Sequence, residues 1–165
     1  MLAWTIYISF LGALVLMLLP SGSVRATRLL ALLTTVAGFV ITLLGFAEQQ
    51  SGGVVTIVRL PWVPSLGIEY HLAADGISLT LLLLTGIVAI SGVLFSWNIE
   101  HRAKEFFALY LALIGGVYGV FLSFDLFLLF VFYEIAIIPK YFLIAIWGST
   151  RREYEIGRAS CRERV

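Results

Sequence analysis

Three residues in one apolar stretch have chemistry that a plain membrane anchor does not need. Residues 125–147 contain Glu134 near their middle, followed by Pro139 and Lys140. About 20 apolar residues at ~1.5 Å rise cross the ~30 Å hydrocarbon core of a bilayer, so this stretch is long enough to span one. A charged side chain at that depth costs at least ~2.5 kcal/mol, which favours a functional role for Glu134 over simple lipid contact.

Glu134 lies about 13 Å along the predicted helix, close to the bilayer midplane. Removal from water favours the neutral acid, whereas a nearby cation favours the carboxylate. A carboxyl group poised between the two states loads and releases a proton, and we interpret Glu134 as a proton carrier. The alternative is a structural ion pair or hydrogen bond that ties two helices together.

Pro139 and Lys140 follow Glu134 by one to two helical turns. Pro139 has no N–H, so the carbonyl of Ile135 loses its helical partner, and we expect the helix to kink or loosen there. Such a break is tolerated in a membrane only where protein or water takes up the freed group. Lys140 lies about 9 Å along the axis and about 120° around it from Glu134, so the two do not pair on one helix face. Lys140 is either a lysine that snorkels to the interface or a second station of a proton path.

The composition indicates a polytopic membrane protein of the all-α class. Hydrophobic residues make up 61% of the chain and charged residues 13%, with a mean hydropathy of +1.02, against about 45–50% and 25% in soluble domains. A net charge of +1 and the lack of a basic run along one helix face argue against a nucleic-acid partner. The single cysteine, Cys161, excludes a disulfide framework and a CxxC metal site. Because no nucleotide-binding or hydrolase motif is present, we expect no cofactor and no metal in this chain.

Five apolar runs predict membrane helices at residues 3–19, 29–46, 75–97, 106–122 and 125–147. Asp75 with Gly76 predicts the start of the third helix, and Ser123 and Asp125 predict a cap and first-turn acid for the fifth. Residues 54–72 are rich in β-branched and aromatic side chains and are interrupted by prolines. They predict an interfacial hairpin or extended segment packed on the helix ends.

Basic residues fall in alternate connections of the five predicted helices. The first, the third and the segment after the fifth helix each contain two: Arg25, Arg28, Arg102, Lys104, Arg151 and Arg152. Alternating helices place these segments on one side, so the positive-inside rule predicts that the N-terminus lies outside. His71 and His101 then lie on opposite sides, which excludes a shared metal site.

The last residues do not resemble the rest of the chain. From Ile156 the sequence IGRASCRERV loses all apolar periodicity and becomes rich in charge. A common sequencing-library adapter, read in frame, encodes these residues. We therefore interpret residues 155–165 as a non-native tail, exclude them from the fold as one excludes fusion scars, and assign a truncated membrane domain to residues 1–154. An ordinary cytoplasmic loop is the alternative.

Two motifs together resemble a known family. The runs WVPSLGIEYHLAADGISLTLLLLT from Trp62 and DLFLLFVFYEIAIIPKYFLIAIWG from Asp125 are similar to those of the M-type antiporter-like subunits (subunit 4 homologues) of proton-pumping NADH:quinone oxidoreductase, respiratory complex I. The resemblance covers nearly everything up to Tyr154. It implies a fourteen-helix subunit, of which this chain holds the N-terminal five helices.

The resemblance also implies roles for residues and partners. Glu134 matches a glutamate that the fifth helix offers to a lysine on a later helix, and the partner lysines would lie beyond Tyr154. Many members carry Met where this chain has Lys140, which is a departure from the pattern. NADH, flavin, iron–sulfur clusters and quinone would bind to partner subunits. Neighbouring antiporter-like subunits and the lipid bilayer would be the direct partners, in a bacterial inner membrane.

Two other functions stay open on the sequence. A subunit of a multi-chain Na+/H+ antiporter or of a membrane-bound hydrogenase would share the glutamate helix, although the motif between the second and third helices favours the NADH enzyme. A non-pumping membrane scaffold that only anchors its neighbours is the second alternative.

Overall fold

Five helices and one two-stranded hairpin make up the fold in the computed structural model, which describes residues 1–18, 24–48, 54–63, 67–99 and 101–148. In chain order the elements are α1 (Ala3–Leu18), α2 (Val24–Glu48), β1 (Val55–Val63), β2 (Ile68–Ala74), α3 (Gly76–Phe95), α4 (Ala103–Leu122) and α5 (Leu126–Trp147). A 3-10 turn, Ser96–Asn98, extends α3.

Four of these helices, α2 to α5, are long and apolar enough to cross a membrane. The first helix is apolar as well but has 16 residues in the described part of the chain. The all-α polytopic membrane fold predicted from the sequence is thereby confirmed. Helix α2 begins at Val24 instead of residue 29, so Arg25 and Arg28 lie inside its first turns; arginine favours helix and its long side chain reaches the interface from there.

Helix α4 is the packing centre of the bundle. It contacts α1, α2, α3 and α5, and no residue between Ala103 and Leu122 is exposed. Half of its apolar span is buried, against 22% for α5. The helix that carries Glu134 is therefore peripheral within the described bundle and leaves most of its surface uncovered.

The hairpin is tied to the ends of α4 and α5. Strands β1 and β2 pair antiparallel, as predicted for this segment. Leu72 of β2 is fully buried and bridges to Ser123, and the N–H of Phe124 donates to the carbonyl of His71 at 2.9 Å. We call this side of the molecule the hairpin end.

The helix caps differ in one respect from those predicted from the sequence. Asp125 is the N-cap of α5, and its carboxylate accepts the N–H groups of Phe127 at 2.9 Å and Leu128 at 3.1 Å. The prediction of Ser123 as a cap of α5 was wrong. Its hydroxyl donates to the carbonyl of Gly119 at 2.7 Å and so closes the last turn of α4. Asp75 caps α3 as predicted, accepting the N–H of Ser78 at 2.7 Å.

We call the opposite side of the molecule the basic end. There, side chains from α2 and α5 hold the α3–α4 connection in place. The guanidinium of Arg28 donates to the carbonyl of Ile99 at 3.2 Å, and the indole N–H of Trp147 donates to the carbonyl of His101 at 2.9 Å. The first and third basic connections thus share one end, as the predicted topology requires. Which end faces the cell interior stays a prediction, and Arg151, Arg152 and the proposed tail lie outside the described residues.

Candidate functional site

Glu134 lies in the middle of an exposed apolar stripe on α5. It is the ninth residue of the helix, about 12 Å from its first residue. Glu134 is exposed, and so are Phe130 and Ile138 one turn before and after it and Phe127 and Phe142 further along. The carboxyl group therefore points away from the four other described helices.

The opposite face of α5 explains this direction. Phe132 and Ala136 lie two residues before and after Glu134, so each is about 200° around the helix from it. Phe132 is only 7% exposed, and a β-carbon added to Gly119 of α4 would overlap its ring. Ala136 packs against Gly116 of α4. Because these contacts fix the rotation of α5, Glu134 is directed straight away from α4.

Pro139 does not interrupt α5. The helix is continuous from Leu126 to Trp147, and Pro139 is buried. Ile135, whose backbone carbonyl loses its helical partner at Pro139, packs its side chain against the core. The predicted loosening is thus confined to a missing hydrogen bond within a continuous helix.

The structure does not bring Lys140 and Glu134 together. Both are exposed, but no ion pair joins them within the described ranges. Lys140 lies about 10 Å from the end of α5 at Trp147, a distance over which a lysine side chain reaches towards the interface.

Residue groups suited to metal binding do not occur in the described part of the chain, where no three His, Cys, Asp or Glu residues converge. His71 is held at the hairpin end by Phe124 and His101 at the basic end by Trp147. Phe124 and Trp147 are separated by about 33 Å along α5, so the two histidines do not share a metal site.

Sequence reasoning missed the glycines of α4. Among the glycines of α2, a β-carbon on Gly45 would overlap Leu2, whereas one on Gly38 would meet Tyr118 at an ordinary 3.6 Å. The contacts that set the site are at Gly116 and Gly119. The signal was present, because small residues spaced three or four apart mark close helix approach in membranes.

Comparison with known proteins identifies relatives over nearly the whole chain. It is 38% identical over 157 residues to NADH-quinone oxidoreductase subunit M of Escherichia coli K12, covering 90% of this chain and 31% of that protein. Against subunit M of Pseudomonas aeruginosa it is 39% identical over 157 residues, with 89% and 31% coverage. Against NAD(P)H-quinone oxidoreductase chain 4 1 of Synechococcus elongatus it is 36% identical over 152 residues, with 90% and 28% coverage. No family model matches the chain.

A solved structure has the same fold. One chain of respiratory complex I from Thermus thermophilus with bound NADH superposes with a TM-score of 0.78 at 23% identity, covering 95% of this chain and 31% of that chain. The fold defines an all-α, multi-pass membrane protein. More narrowly, the chain belongs to the subunit M and chain 4 family of the NADH-quinone oxidoreductases, which confirms the resemblance seen in the sequence. It spans about a third of the length of the curated relatives it matches.

Proposed function

We propose that this chain is part of a proton-translocating membrane subunit of an NADH:quinone oxidoreductase. Electron transfer from NADH to quinone would drive proton movement through the subunit. NADH, flavin, iron–sulfur clusters and quinone would bind to partner subunits, and this chain would hold no cofactor. Relatives from Escherichia coli and Pseudomonas aeruginosa support a bacterial inner membrane as its location, with neighbouring antiporter-like subunits as partners.

The observation that carries the proposal is the direction of Glu134. A carboxyl group at membrane depth requires a partner or water, because lipid offers neither. Since α4 lies behind Glu134, the partner must approach the exposed face of α5 between Phe130 and Ile138. We propose a lysine on a further helix of the complete subunit. A lysine close to Glu134 favours the carboxylate and a distant one favours the neutral acid, so a change in their separation moves a proton.

Lys140 and Pro139 have supporting roles in this proposal. Lys140 would be a second proton station, about 9 Å further along the axis of α5. Pro139 would leave the carbonyl of Ile135 free to accept a hydrogen bond, one residue from Glu134.

The test is Glu134→Gln in the complete subunit within the assembled enzyme. Glutamine keeps the size and hydrogen bonding of the side chain but does not titrate, and the exposed site involves no core packing. We expect intact assembly, strongly reduced proton uptake into vesicles and slower NADH oxidation in the same preparation. Glu48→Gln is the matched control, because Glu48 is an exposed acid at the end of α2, outside the stripe.

Wild-type proton uptake in the Glu134→Gln variant would exclude Glu134 as a proton carrier and leave the non-pumping scaffold as the better account. A subunit of a Na+/H+ antiporter would instead show sodium-dependent uptake without NADH.

A further inference from the structure

The start of α2 presents two arginines with unused hydrogen-bond donors. Arg25 is exposed and has no partner among the described residues. Arg28, one turn later, donates one bond to Ile99, while its buried Nε has no acceptor. The first turn of α2 contains no acidic residue, so the unpaired N–H groups of the helix start add to the positive field.

Trp97 fixes the depth of these arginines in the membrane. The guanidinium carbon of Arg28 lies 5.9 Å from the centre of the Trp97 ring, a distance that suits a cation–π contact. Tryptophan rings prefer the headgroup level of a bilayer. The guanidinium of Arg28 therefore lies at the level of the lipid phosphates.

The acid of this end that the structure describes is already engaged. Glu105 forms an ion pair with Arg102. The charges of Arg25 and Arg28 are thus left without a described counter-ion.

An apolar stripe continues from Arg25 along the same face of α2. Leu29, Leu33, Val36 and Val40 are all exposed, and helical geometry places them within about 80° of Arg25 around the axis. A charged head followed by an exposed apolar track matches a molecule with an anionic head and a long hydrocarbon tail.

We propose that Arg25 and Arg28 bind the phosphate of an anionic phospholipid whose acyl chain lies along this stripe. Guanidinium groups donate in pairs to phosphate oxygens, which a lysine does less well. An anionic lipid is favoured over a zwitterionic one because the acid of this end that the structure describes, Glu105, is already paired with Arg102. This site is separate from Glu134 and does not depend on proton transfer.

The test measures which lipid contacts the tryptophans of the basic end. In a Trp4→Phe, Trp62→Phe background, Trp97 and Trp147 are the remaining tryptophans of the chain. The full chain is reconstituted in phosphatidylcholine vesicles with a small fraction of brominated phosphatidylglycerol or, in parallel, brominated phosphatidylcholine. We expect brominated phosphatidylglycerol to quench the fluorescence at several-fold lower fractions than brominated phosphatidylcholine. Arg25→Gln and Arg28→Gln should each weaken this preference about fivefold, corresponding to about 1 kcal/mol per basic residue.

Arg59→Gln at the hairpin end is the control and should retain the preference. Since Arg25 is exposed, its variant tests the site even if Arg28→Gln fails to fold. Equal quenching by the two lipids, or an unchanged preference in Arg25→Gln, would overturn the proposal. Displacement of phosphatidylglycerol by inorganic phosphate at constant ionic strength would overturn it too, by showing a site for a soluble anion.

Discussion

Ala136 of α5 lies directly against Gly116 of α4. A β-carbon added to Gly116 would lie 2.9 Å from the β-carbon of Ala136 and 3.0 Å from its Cα and its backbone nitrogen. The two helices therefore touch backbone to backbone two residues after Glu134. The direction of the Glu134 side chain depends on this contact, because any shift of α5 here rotates or displaces the acid.

Gly116→Ala should destabilise the bundle, because the added methyl group meets backbone atoms that have no room to move. We expect a loss of about 1–3 kcal/mol, the usual cost of overpacking. Gly38→Ala is the matched control, since its β-carbon would meet Tyr118 at 3.6 Å or more. Unfolding by a denaturing detergent measures both, and equal stability of the two variants would show that the α4–α5 contact is not tight.

Tyr110 and Gly92 should behave as a coupled pair. The hydroxyl of Tyr110 donates to the carbonyls of Ala89 at 3.1 Å and Val88 at 3.3 Å, and a β-carbon on Gly92 would overlap it. Gly92→Ala should therefore destabilise α3–α4 packing, and Tyr110→Phe should cost about 1 kcal/mol for the lost hydrogen bond. The double variant should lose less than the sum, because phenylalanine removes the overlapping oxygen. Strict additivity in the same unfolding assay would contradict this coupling.

The hairpin end should loosen at acid pH through Glu69. Its carboxylate accepts bonds from Arg59 Nε at 2.6 Å and Nη2 at 3.1 Å, and this hydrogen-bonded partner lowers the pKa of Glu69 below its ordinary 4.5. The pair's contribution is therefore complete above pH 4.5 and is lost as pH falls through the lower folded-state pKa. Trp62 fluorescence reports the change, because its ring packs on Phe127 at 5.9 Å.

Glu69→Gln should remove this pH dependence, and Glu48→Gln should keep it. Added salt should weaken the effect, since the pair is exposed. An unchanged acid transition in Glu69→Gln would assign it to another group.

Two substitutions at Lys140 separate its two interpretations. Arginine keeps the charge and the long stem but does not release a proton, whereas methionine removes the charge. If Lys140 is a proton station, both Lys140→Arg and Lys140→Met should lower proton uptake several-fold, and less than Glu134→Gln does. Wild-type uptake in Lys140→Arg would show that Lys140 only snorkels to the interface. NADH oxidation in the same vesicles controls for the amount of assembled enzyme.

The sequence by itself determined the membrane class, the approximate helices, the hairpin, the Asp75 cap and the family. Lipid cannot hydrogen-bond to a peptide group, so long apolar runs are forced to be helical, and local cap chemistry then marks where they start. Glu134 was identifiable because an ionisable group is costly at that depth in a membrane. Ser123 was misassigned because two residues near one boundary both had capping chemistry, and only the backbone path decides between them.

Only the tertiary structure decided that α4 is the centre of the bundle and that Glu134 faces away from it. Nearly every position on these helices is apolar, so hydrophobic periodicity does not distinguish a face towards protein from a face towards lipid. The side of α4 that lacks β-carbons at Gly116 and Gly119 accepts Ala136 and Phe132. Glu134 lies about half a turn around α5 from these two residues, so its side chain faces away from α4.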